Sequence, residues 1–226
     1  MKTIVVTGGS RGIGLKTIHL LLKKGHRVLN LSRKTPEIDE IYIITGNFTH
    51  IPFDLKNPDI TKLEDAFSQL SSIDVIFNNA GFLINKPFAL LNKQDFSDVF
   101  QINVFSIVQI VQTALKYLSP KAHIVNVSSI GGLHGSQKFP GLSAYSSSKG
   151  AVTILTECLQ AEFQDTGYTF NGLAFGAVQT EMLSEAFPGY KAPISAAEMA
   201  EFVTWFLLNG HKFFKGKILP VSLSNP

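Results

Sequence analysis

"TGGSRGIG", residues 7–14, places three glycines, Gly8, Gly12 and Gly14, in the first turn of the chain. The residues before it, "KTIVV" (2–6), are short, apolar and β-branched, the composition of a strand. Those after it, "LKTIHLLLKKG" (15–25), repeat Leu and Ile at helical spacing and stop at Gly25. A glycine-rich turn between a strand and a helix brings bare backbone close to whatever lies above it. The helix start offers unpaired N–H groups and the positive end of a dipole, which suit a phosphate. The competing reading is a tight turn that needs positive φ and binds nothing. The glycine spacing is G-x-x-x-G-x-G, not G-x-G-x-x-G.

Outward from this turn, strand and helix patterns alternate to the end of the chain. Strands are expected at 26–32, ending near 50–54, at 73–81, 122–129, 168–175 and 216–222. Helices are expected at 57–70, 95–118 and 143–164, and another opens at Ser195, where Glu198 completes a capping-box pattern. Residues 34–50 lack a convincing helix and read as irregular or partly extended. This alternation predicts an α/β fold, a doubly wound, mostly parallel Rossmann-like sheet of about seven strands with helices on both faces. No linker or repeat divides the chain, so residues 1–226 are expected to form one domain. Ligands of such sheets bind beyond the carboxyl ends of the strands. The polar or glycine-rich stretches at 7–14, 78–81, 128–132 and 175–180 all follow strands and should gather along that edge.

Composition excludes several other classes. A net charge of +3 is too small to argue for nucleic acid, and the basic run "HKFFKGK" (211–217) reads as a solvated loop. The one cysteine, Cys158, rules out an intrachain disulfide and a cysteine metal cluster; its apolar helical surroundings suggest inert packing. No uninterrupted apolar run approaches the ~18 residues that span a bilayer. The first strand leaves no room for a leader, so a cytoplasmic location is expected.

Four stretches taken together resemble the compact, single-domain branch of the short-chain dehydrogenase/reductase superfamily: "TGGSRGIG", "NNAG" (78–81), "NVSS" (126–129) and "YSSSK" (145–149). The resemblance implies a nicotinamide dinucleotide cofactor and a catalytic set of Asn103, Ser129, Tyr145 and Lys149. It places Gly8, Ser10, Arg11, Gly12, Ile13 and Gly14 at the cofactor's phosphates, Asp54 and Leu55 at the adenine, and Asn79, Ala80 and Gly81 on the adenosine side. "FGAVQT" (175–180) resembles the nicotinamide anchor, with Gly176, Val178 and Thr180, but has Phe175 where the family usually has proline. Asn103 would hold a water that links the lysine to solvent.

The chemistry is also readable from the residues. Tyr145 and Lys149 are four apart and share one helix face. A cation about 4 Å from the hydroxyl is worth about 4 kcal/mol at an effective dielectric near 20, enough to bring a tyrosine toward the neutral range. Alone, the pair would be two residues on an exposed helix. Ser129 ends a strand and so faces the ligand edge, where its hydroxyl could hold a carbonyl oxygen; the family pattern prefers it to Ser128. The interval to Tyr145 is longer than usual in the family, and the excess falls in "HGSQKFPG" (134–141). His134 in that segment reads as a surface residue.

Cofactor choice turns on charge. An acid about twenty residues past the glycine turn commonly grips the ribose 2′-hydroxyl of NAD. Here the second strand ends "LSRK", placing Ser32 and Arg33 at that position, with Arg11 as a second cation. Two guanidinium groups suit a 2′-phosphate, which favours NADP(H), although Glu37 and Asp39 lie close enough to keep NAD(H) open.

The expected activity is NADPH-dependent hydride transfer to a carbonyl, or its reverse from an alcohol. The rival is a regulatory protein that senses NADP(H) without turnover. The segment 181–193 should form an apolar lid through Met182, Leu183, Phe187 and Tyr190, with Phe82, Leu83 and Phe139 as further walls. Oxoacyl thioesters, small ketones and steroid-like alcohols all remain open as substrates. The apolar helices 95–118 and 143–164 suggest a homodimer or homotetramer.

Overall fold

A computed structural model describes residues 1–223. The chain begins with β1 (Thr3–Thr7), α1 (Gly12–Lys23), β2 (Arg27–Ser32), α2 (Glu40–Ile44), β3 (Phe48–Pro52), α3 (Ile60–Ser68) and β4 (Ile73–Asn78). One continuous helix follows, made of α4 (Lys93–Phe100), a π-helical turn (Gln101–Phe105) and α5 (Ser106–Ala114). Then come β5 (Leu118–Ser129), α6 (Ser143–Glu162), β6 (Thr169–Phe175) and β7 (Val178–Gln179). The chain closes with α7 (Glu181–Ala186), β8 (Ile194–Ser195), α8 (Ala196–Asn209) and β9 (Ile218–Val221).

Seven strands form one sheet in the order β3-β2-β1-β4-β5-β6-β9, and every pairing is parallel. Side chains alternate across it, as the pleat requires. Ile4 and Val6 of β1 join Ile18 and Leu21 of α1 and Phe206 of α8 on one face. Val5 points the other way, into a cluster with Ile76, Ile110, Val152 and Phe170 beneath α5 and α6. With both faces covered, the central strands are apolar runs, which is why they were recognisable. The order reverses direction between β1 and β4, so the turns after these two strands flank the crevice where such sheets bind ligands.

Several sequence expectations need correction. Residues 34–50 contain a short helix, α2, opened by Glu40; Tyr42 and Ile38 pack on the core while Ile41, Ile43 and Ile44 stay exposed. β3 lies earlier than expected, and β5 starts at Leu118, taking Pro120 into its exposed beginning. The short pair β7–β8, absent from the sequence reading, joins the two ends of the segment 181–193. Cys158 is exposed rather than packed, because α6 is apolar around much of its girth and only one side meets the sheet. The helix Lys93–Tyr117 reaches a mean hydropathy of 1.2 and is long and apolar enough, by length and composition, to cross a bilayer. Its Val104, Ile107, Ile110, Val111 and Ala114 are buried in the second core cluster. The capping box at Ser195 is present, with Glu198 returning a bond to the Ser195 backbone.

Candidate active site

The turns at the carboxyl edge of the sheet enclose a cleft of about 560 Å³. The glycine turn forms one wall. Gly8 has φ +69°, and a Cβ there would lie 2.8 Å from the Ala80 Cα, so only glycine fits. Gly14 is packed behind the wall, where a Cβ would come within 2.6 Å of Asn79 Nδ2. Asn79 Nδ2 donates to the carbonyls of Thr7 and Gly8 at 3.0 and 3.2 Å, and Ala80 N–H donates to Thr7 Oγ1 at 3.0 Å. "NNAG" therefore clamps the glycine turn to β4. Below it, Asn78 Nδ2 donates to Asn126 Oδ1 at 2.9 Å, tying β4 to β5.

Helix α1 begins with no side-chain cap and no acid in its first turn. Its first N–H groups are thus available to an anion at the positive end of the helix. A pyrophosphate fits this cradle: the glycines remove side chains that would block it, and Arg11 stands beside it.

Ser10, Arg11, Gly12, Ile13, Ser32, Arg33, Asp54, Leu55, Ala80, Gly81, Gly176, Val178 and Thr180 all line the cleft, with Gly8 and Asn79. Of the expected cofactor-binding and catalytic residues only Gly14 and Asn103 stand behind its surface. Arg33 is exposed and makes no hydrogen bond or ion pair among the described residues. Glu37 and Asp39 do not line the cleft. Ser32 Oγ donates to the Lys34 carbonyl at 2.8 Å, and Asp54 Oδ1 accepts from Lys56 N–H at 3.0 Å. Arg11 differs from the expectation. Its guanidinium is paired with Glu185 of α7, across the cleft, and so is not a free second cation.

The catalytic candidates meet at the other end. Ser129 and Tyr145 line the same stretch of the cleft, and Ser129 acts to lower the pKa of the Tyr145 hydroxyl. Ser128 is buried, its hydroxyl donating to the Lys149 carbonyl at 2.8 Å, which leaves Ser129 as the serine that meets Tyr145. Lys149 Nζ donates to the Val127 carbonyl at 2.7 Å and lies 5.8 Å from the Tyr145 ring centroid. Burial pushes the Tyr145 hydroxyl up to about 12, with the nearby Ser129 acting the other way. This reverses the expected lowering by Lys149: desolvation dominates, and the ammonium group is turned to Val127. Burial also pushes Lys149 down to about 8.

Asn103 sits in the π-helical turn, 1% exposed. Its Oδ1 accepts from Phe82 N–H at 2.7 Å, and its Nδ2 donates to the Phe82 carbonyl at 3.0 Å and to Ser148 Oγ at 2.9 Å. Both amide hydrogens are taken, so the side chain fixes the path of the chain near Lys149.

The apolar end of the cleft includes Phe82, Leu83, Met182 and Leu183. Phe139, Phe187 and Tyr190, also expected there, are not among the lining residues, and Phe139 is exposed, as is His134. Sequence reading missed Lys34 and Lys56 in the lining and the buried Asn30 beneath the glycine turn. Asn30 Oδ1 accepts from Gly9 N–H at 3.1 Å and its Nδ2 donates to Ser32 Oγ at 2.9 Å. The signal was there, as an amide interrupting the apolar run "VLNLS".

A parallel sheet reversing between β1 and β4, with this turn and this Ser-Tyr-Lys cluster at its carboxyl edge, defines a class of dinucleotide-dependent oxidoreductases. Residues 2–191 match the short chain dehydrogenase family, and the chain belongs to it. It is 33% identical to L-2,3-butanediol dehydrogenase of Corynebacterium glutamicum over 193 residues, covering 80% of this chain and 73% of that protein. It is 32% identical to the NADPH carbonyl reductase 2 of Sus scrofa over 161 residues, 70% and 64% of the two chains. The fold matches 4-hydroxyisoleucine dehydrogenase complexed with NADH at TM-score 0.83 and 22% identity, covering 98% of this chain and 97% of that one. It matches a short chain dehydrogenase of Burkholderia cenocepacia J2315 in complex with NADP at TM-score 0.84 and 23% identity, covering 98% and 96%.

Proposed function

We propose that this short-chain oxidoreductase uses NADPH to reduce a ketone or aldehyde, or runs the reverse reaction on a secondary alcohol. The observation that carries the reading is the convergence of Ser129, Tyr145 and the buried Lys149 in one cleft, with Lys149 Nζ 5.8 Å from the Tyr145 ring centroid. When bound, the nicotinamide supplies or accepts the hydride. Ser129 holds the carbonyl oxygen in reach of Tyr145, which gives that oxygen its proton. Lys149 uses one of its three donors on Val127 and keeps others for a cofactor hydroxyl; its charge stabilises the tyrosinate left behind. The free Arg33, with Lys34 beside it, supports NADPH over NADH. So does the name of the Sus scrofa relative.

The test is a panel of small carbonyls added to protein and NADPH, followed by loss of the reduced-nicotinamide absorbance. Turnover with at least one ketone or aldehyde is expected. Tight NADPH binding with no turnover on any would reassign the site to a cofactor sensor.

The outer faces of the two long helices support a second expectation. Phe105, in the π-helical turn, and Ile154, on α6, are 49% and 60% exposed. We propose that these faces pair between copies in a homodimer or homotetramer. Sedimentation at micromolar concentration should give the oligomer, and Ile154→Lys should shift it toward monomer. A monomeric parent would refute the assembly.

A further inference from the structure

The proposed chemistry gives no task to the acids of α7. Glu185 takes a two-point ion pair from Arg11, Nη1 to Oε1 and Nη2 to Oε2, the latter at 3.3 Å. These residues stand on opposite lips of the cleft, Arg11 at the head of α1 and Glu185 on the helix that follows β7. Glu181 approaches the same turn: its Oε2 lies 3.4 Å from where a Cβ on Gly12 would be. Glu181 therefore approaches the backbone that would cradle phosphate, Glu185 holds the Arg11 side chain, and both carboxylates add to the charge stabilisation of Arg11.

A guanidinium offers a planar fork that pairs bidentately with a carboxylate or a phosphate. Arg11 has one such fork and Glu185 holds it. We propose that Glu185 is a specificity-determining residue that competes with the 2′-phosphate of NADPH for Arg11. NADPH then exchanges the ion pair across the cleft for a phosphate contact, and NADH leaves that pair intact. The discrimination between the two cofactors is set by Arg33 and Arg11 acting for the phosphate and Glu185 acting against it. This rests on the NADPH reading above.

The segment has other fastenings, so removing the Glu185 charge does not release it. Asn85 Nδ2 donates to the Ala186 carbonyl at 2.9 Å, the Thr180 hydroxyl caps α7, and β7 pairs with β8. Glu185 is itself exposed, which keeps Glu185→Gln compatible with the fold.

The experiment is calorimetric titration of the parent, Glu185→Gln, Arg11→Gln and the double variant with NADPH and with NADH. Glu185→Gln should bind NADPH about two- to fivefold more tightly, the scale of an exposed ion pair, with NADH unchanged. In the Arg11→Gln background the same substitution should do nothing, because the competitor has lost its target. Equal shifts for both cofactors, no shift in either, or an effect that survives without Arg11 would overturn the proposal. A parent that binds NADH more tightly than NADPH would instead overturn the cofactor reading, and the NADPH cycle would still report on Glu185.

Discussion

Tyr145→Phe is expected to reduce turnover by about a hundred- to ten-thousandfold, the range for losing a positioned general acid. Cofactor affinity should change little, because the ring is retained and only the hydroxyl is lost. Ser129 Oγ accepts from Gly131 N–H at 3.3 Å, a bond the variant leaves in place. The pH profile of the parent follows from the same geometry. Tyr145, pushed up to about 12, keeps its proton throughout the ordinary range and is ready to donate. Lys149, pushed down to about 8, carries its charge below that pH and loses it above. The cation favours departure of the tyrosine proton, so kcat/KM for reduction should hold below about pH 8 and fall above it. Steady-state rates with a carbonyl and NADPH, together with cofactor Kd for both proteins, provide the check. A Tyr145→Phe protein with more than a few per cent of parental turnover would remove Tyr145 from the role of proton donor.

The features that sequence made legible are those written in local spacing. Gly8, Gly12 and Gly14 lie within one turn, and the interval from Tyr145 to Lys149 is one helical step, so neither needed a tertiary contact to be seen. The alternating buried runs made the sheet legible for the same reason, since each strand carries its own burial pattern. What spacing does not contain is direction. The rank of Ser129 over Ser128 came from resemblance, and only the structure shows Ser128 turned toward the Lys149 carbonyl. The interval between Tyr145 and Lys149 says that they share a face, not that the ammonium group meets Val127 and that burial governs the hydroxyl. Asn103 was noticed as a polar break in an apolar helix, yet its partners Phe82 and Ser148 lie 21 and 45 residues away. The Arg11–Glu185 pair, 174 residues apart, has no local signature. Apolar content on α6 likewise could not say which side would remain outside, and Cys158 fell on that side.

Arg33→Asp should move cofactor preference toward NADH. Arg33 is the cation at this end of the cleft whose expected role the structure leaves open. It is exposed, has no partner among the described residues, and follows directly on the end of β2. A charge-assisted hydrogen bond to a 2′-phosphate is worth about 1.5–3 kcal/mol, so its loss weakens NADPH by about ten- to a hundredfold. The introduced carboxylate adds repulsion toward the phosphate and can accept from the ribose hydroxyls of NADH, as an acid at this position commonly does. Lys34 and Arg11 limit the change, the first because it also lines the cleft, the second only as far as Glu185 releases it. Folding should be unaffected, since an exposed side chain without partners contributes little to stability. The measurement is kcat/KM with each cofactor in the parent and in Arg33→Asp, with thermal melting as a control. A parent that already prefers NADH, or a ratio that does not move, would make Arg33 a surface charge and remove it from the residues that set the cofactor preference.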